Sequence, residues 1–160
     1  MTFKRPHLER VRTVHQPIPA HLRRSASFAK ADGANTPEPK PEVHRNPALL
    51  EMARGRPCLL MLPDKCLNPS TETTVAAHSN WSEHGKSGAR KSQEEYSVWA
   101  CYACHQWLDQ GPATESEKRA TFLAAHRRQV DHWHRIAADP KEPARFRKAA
   151  DWALNHLMRS

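Results

Sequence analysis

The chain contains four cysteines, and they fall in two pairs, Cys58-x7-Cys66 and Cys101-x2-Cys104, with His105 directly after the last. Zinc prefers thiolate sulfur, has no redox chemistry of its own, and is closed by four protein ligands where its work is structural. A Cys-x2-Cys turn points two sulfurs at one ion, and the wider pair suits a hairpin that brings its end back to its start. Cys58, Cys66, Cys101 and Cys104 are therefore expected to hold one tetrahedral zinc ion. Unrelated buried thiols and disulfides are the alternatives. The opening Met1-Thr2-Phe3-Lys4-Arg5-Pro6 has no apolar core after it, so secretion is not expected. A reducing, cytoplasmic setting follows, which suits thiols reserved for metal.

Charge narrows the partners. Lys and Arg number 25 against 17 Asp and Glu, a formal net charge of +8, which points to nucleic acid or an anionic surface. No segment approaches the roughly 20 apolar residues of a membrane span. The hydrophobic fraction, 38%, is low for a chain folded throughout, and ten of the 13 prolines precede residue 70. Residues 1–45 are expected to be a disordered, basic, Pro-rich arm, with Thr36-Pro37-Glu38-Pro39-Lys40-Pro41-Glu42 as an extended linker.

The folded part starts near Asn46, where Asn46-Pro47 opens a short helix. Thr73-Thr74-Val75-Ala76-Ala77 predicts a strand ending at His78, and Ser97–Ala100 a second one that delivers Cys101. The polar stretch between them, Ser79 to Glu95, reads as a long loop. A helix from the second knuckle should run to about Gln110 and stop at Gly111-Pro112. Thr114-x-x-Glu117 is a capping box opening a helix with the stripe Phe122, Leu123, His126, Val130, Trp133 and Ile136, ended by Asp139-Pro140. Pro143 opens the last helix, with Phe146, Ala149, Ala150, Ala153 and Leu157 on one face. The fold class is thus α+β, a small zinc-stabilised core over residues 46–136 followed by a C-terminal helix over 137–160.

A strand–strand–helix unit around a metal sets His78 opposite His105 and Asp109, which lie four apart on one helix face. An imidazole can take a proton from water, and a divalent ion on the helix can stabilise a phosphorane. That is the arrangement of a ββα-metal nuclease. Lys86, Arg90 and Lys91 are then placed to neutralise a DNA backbone beside His78. His78 as a hydrogen-bonded structural histidine and Asp109 as a solvated carboxylate are the plain alternatives. Histidines 126, 132 and 134 read as helix surface and packing. His84-Gly85-Lys86-Ser87 lacks the earlier glycine of a phosphate-binding loop, since Asn80 stands there.

Ala77-His78-Ser79-Asn80, Gly85-Lys86 and Ala103-Cys104-His105-x3-Asp109, preceded by Arg54-Gly55-Arg56-Pro57-Cys58, give the chain a resemblance to the YbcO-like prophage nucleases, part of the HNH or His-Me finger endonucleases. The resemblance covers about residues 46–136. It implies an endonuclease acting on DNA in phage recombination or replication, with His78 as general base. By the same pattern His105 and Asp109 bind a catalytic Mg²⁺ or other divalent ion, and the four cysteines hold structural zinc. Many HNH enzymes carry a further ligand just before the base, where this chain has Ala77; His84, water and substrate phosphate are left to complete the shell. Asn80 follows His78 too closely to be the central asparagine of that motif. Rival readings are a noncatalytic zinc-bound DNA-binding module and a zinc-knuckle adaptor for proteins.

Overall fold

A computed structural model describes residues 42–159. Of the arm expected over residues 1–45, only 42–45 fall within them. The architecture is mixed α and β: one two-stranded sheet and four α-helices among the described residues. α1 (Pro47–Met52) begins where expected, with Asn46 extended before a proline at the first helical turn, and it buries Leu49 and Met52.

The strands are β1 (Val75–His78) and β2 (Ser97–Ala100), antiparallel with Val75 opposite Ala100 and His78 opposite Ser97. β1 is shorter than expected because its two threonines do other work. The Thr74 N–H bonds Thr71 O at 3.2 Å in a turn, and Thr73 Oγ1 accepts from the Tyr102 N–H at 3.3 Å. The interval expected as plain loop holds a 3-10 turn over Ser82–His84 and an isolated bridge between Ser87 and Arg90.

Two short strands are marginal alone in water. Here every residue of β2 is buried and its open edge is covered. The Trp99 N–H donates to Gln129 Oε1 at 2.9 Å, and its carbonyl accepts from the Leu59 N–H at 2.8 Å. Gln129 lies on α3 (Glu115–Ala138) and is completely buried.

The inward face of α3 differs from the stripe read from the sequence. Phe122, Trp133 and Ile136 are buried as expected, but Leu123 is exposed, and Ala125 and Gln129 take inward places. A rule that counts only apolar residues passes over the glutamine whose carbonyl the sheet requires. The capping box at Thr114 forms in both directions: Thr114 Oγ1 accepts the Glu117 N–H, and Glu117 Oε2 accepts the Thr114 N–H at 2.8 Å. α2 (Tyr102–Gln110) ends at Gly111, where any Cβ would lie 2.5 Å from the Trp107 carbonyl oxygen. α4 (Ala144–Leu157) packs on α1 and α3 through Ala149, Ala150 and Ala153, small residues that permit close approach. None of these helices is long and apolar enough to cross a membrane.

Replacing Gln129 by alanine opens a cavity and strips the buried Trp99 N–H of its acceptor. The expected cost is about 2–4 kcal/mol of unfolding free energy, read from denaturant curves; an unchanged midpoint would remove Gln129 from this account.

Candidate active site and metal centre

Four sulfurs converge as the cysteine pairs predict. The Sγ atoms of Cys58, Cys66, Cys101 and Cys104 all lie within 4.8 Å of one another. A tetrahedron with Zn–S bonds of about 2.3 Å has edges of about 3.8 Å, so the cluster can hold one ion such as zinc with little movement. Cys58, Cys101 and Cys104 are buried and Cys66 is half-buried. The first knuckle bends through positive φ at Met61 (50°) and Asp64 (60°). Asn68 staples it, accepting the Cys58 N–H and donating to the Cys58 carbonyl, both at 3.0 Å. The second knuckle is the end of β2 and the first turn of α2.

Burial pushes the thiols of Cys58 and Cys104 up. Burial acts on Cys101 in the same direction, but the Leu67 N–H, 3.5 Å from its sulfur, and the neighbouring thiols bring it below the ordinary value. Four thiolates close a zinc site, leaving no position for a substrate.

Beside this cluster runs an open cleft of about 740 Å³, lined among others by His78, Asn80, Lys86, Lys91, His105, Asp109 and Lys118. The end of β1 supplies His78 and α2 supplies His105 and Asp109, one turn apart. His105 Nε2 and Asp109 Oδ2 are 3.3 Å apart. Two ligands at right angles on an ion with bonds of about 2.1 Å stand about 3.0 Å apart, so the pair suits a shared divalent ion. Both remain partly exposed, which leaves that ion open to water or a phosphate oxygen.

A family model described as "Putative nuclease YbcO" matches residues 47–138. The chain belongs to this family. No curated protein and no solved structure matches it. Membership in the YbcO family supports nuclease activity in the broad sense, with nucleic acid as substrate, and the matched span contains the cysteine cluster and all the cleft residues named above.

Within this YbcO-family chain His78 has an unusual environment. Its Nε2 is buried without a hydrogen-bond partner. Burial, and then the positive charges of Lys91, Arg45 and His105, lower its pKa to about 4, against an upward pull from Asp109. The ring is therefore neutral at neutral pH.

The remaining sequence candidates separate. Lys86 and Lys91 line the cleft, whereas Arg90 lines a neighbouring hollow with His84. His84 stacks on Tyr96 at 4.0 Å with its Nδ1 2.8 Å from Ser79 Oγ, and so is turned to packing rather than to the helix pair. Arg128 gives its guanidinium to the Leu59 carbonyl at 2.7 Å. His126 packs between Tyr96, Phe122 and Trp133, in keeping with the packing reading.

Among the cleft residues, the sequence reading missed Lys118 and the partner of Asn80. Lys118 comes from the first turns of α3, where only the capping pattern carried a signal. Asn80 donates from Nδ2 to Asp109 Oδ1 at 3.0 Å, a contact no local pattern announces.

Two measurements follow from these environments. The purified chain should carry one zinc per molecule, and Cys104→Ser should lower both the metal content and the melting temperature; full stability without metal would contradict the cluster. The His78 ring should titrate near pH 4 in histidine NMR spectra, staying neutral as pH falls through 6, whereas a midpoint near 6.5 would show a solvated ring.

Proposed function

We propose that the chain is a metal-dependent endonuclease of the HNH, or His-Me finger, type that hydrolyses DNA phosphodiester bonds. The observation that carries this reading is the convergence in one cleft of the neutral His78 ring and the His105–Asp109 pair, 3.3 Å apart. Zinc in the four-cysteine cluster would be structural. The second ion, Mg²⁺ or another divalent cation, would be held by His105 and Asp109.

The chemistry assigned to the residues is simple. His78 takes a proton from a water aligned with the scissile phosphorus, a task suited to an unprotonated imidazole. Lys86, Lys91 and Lys118 hold phosphate oxygens without reading base sequence. His105 Nε2 and Asp109 Oδ2 would hold the divalent ion. When bound, the ion supplies charge neutralisation of the phosphate and the leaving group. Ala77 offers no ligand, so solvent and substrate complete its shell. Reduced cysteines suit a reducing cytoplasm, and phage or prophage DNA recombination or replication is the setting in which this activity belongs.

The decisive variant is His78→Ala, assayed on supercoiled plasmid with Mg²⁺ or Mn²⁺. Nicking should fall by about 10²–10⁴-fold while zinc content and DNA affinity stay at wild-type values. Lys86→Ala and Lys91→Ala should each weaken DNA binding at low salt and reduce the salt slope by roughly one. A wild-type chain that binds DNA but cuts none of its forms with either ion would instead be a noncatalytic DNA-binding module. A chain that also fails to bind DNA would be an adaptor.

A further inference from the structure

One cleft contact serves neither the base nor the phosphate-binding lysines. Asn80 Nδ2 donates to Asp109 Oδ1 at 3.0 Å across 29 residues of sequence, while the other oxygen of that carboxylate, Oδ2, lies 3.3 Å from His105 Nε2. Both side chains are exposed, so water could satisfy either, and the bond adds little to stability. Its physical effect is on direction. With one oxygen engaged by Asn80, orientations that present the remaining oxygen beside the imidazole are favoured.

Asn80 is itself well placed to impose this. It stands between two buried neighbours, Ser79 and Trp81. The Ser79 N–H bonds Tyr96 O at 3.0 Å and its hydroxyl pairs with His84 Nδ1 at 2.8 Å. The carboxamide therefore springs from fixed backbone. Asp109 has reason to need it, because a carboxylate in the last turn of a helix faces the negative end of the dipole. Metal-binding carboxylates are oriented by hydrogen bonds to their other oxygen, and losing such a partner weakens binding.

We propose that Asn80 is a positioning residue for the second ion, fixing Asp109 so that its Oδ2 and His105 Nε2 are presented together; this rests on the reading of His105 and Asp109 as ligands. Asn80 touches neither substrate nor ion in this scheme and acts only through Asp109.

The test is a titration of the zinc-loaded full chain with Mn²⁺, followed by the electron paramagnetic resonance signal of the free ion. Asn80→Ala should raise the Mn²⁺ dissociation constant by roughly 10-fold and shift the Mn²⁺ concentration for half-maximal nicking by the same factor. The nicking rate at saturating Mn²⁺ should recover to near the wild-type value. Zinc content and melting temperature should not change, and the variant lacking both Asn80 and Asp109 should bind no more weakly than Asp109→Ala alone. Wild-type Mn²⁺ affinity in Asn80→Ala, with weakened binding in Asp109→Ala, overturns the positioning role and leaves the ligand assignment standing. A fall in zinc content or melting temperature that accounts for the lost Mn²⁺ affinity also overturns it. Wild-type affinity in Asp109→Ala overturns the ligand assignment and this inference with it.

Discussion

The convergence of four cysteine sulfurs is the constraint on which the rest of the site depends. Cys101 follows the last residue of β2, and Cys104 lies in the first turn of α2. A metal bound there fixes the angle at which the helix leaves the sheet. Because His105 is next to Cys104, and His78 is held opposite Ser97 by strand register, that angle determines how the His78 ring meets the helix pair. A closed cluster thus has a role in the open cleft without touching its contents.

The sheet is too small to stand on its own ladder, and the protein compensates with buried polar side chains. Gln129 from α3 covers the open edge of β2. The segment before α1 is fastened in a similar way: Asn46 N–H donates to Glu94 Oε2 at 2.7 Å, His44 Nδ1 lies 2.5 Å from Glu95 Oε1, and the Arg45 guanidinium reaches the carbonyls of Lys91 and Ser92. Glu94 and Glu95 are buried to receive these groups. This strap holds the stretch that carries Lys91 into the cleft, so backbone anchoring and the basic lining share one loop.

Much of this was legible in the sequence wherever the signal is local. Cysteine spacing, proline and glycine stops and the Thr114 capping box each encode their structure within a few residues. What could not be read depends on distant partners. Thr73 and Thr74 have strand propensity but are taken by a turn and by the N–H of Tyr102. Gln129 looks like a surface residue until Trp99 requires an acceptor. Asn80 was set aside for its distance from His78 along the chain, whereas its partner is Asp109 on another element. Arg90 and Lys91 are adjacent in sequence, yet Lys91 lines the cleft and Arg90 the neighbouring hollow.

In the proposed division of labour, a zinc ion closed by sulfur would fold the chain and a second, open ion would serve the phosphate. Its most direct measurement is cleavage of supercoiled DNA by protein that carries zinc in the cysteine cluster and no other ion, before and after addition of Mg²⁺ or Mn²⁺. The zinc-only protein should be folded and inactive, with relaxed circles appearing once the second ion is added. Full cleavage by the zinc-only form, or none with either added ion, would contradict it.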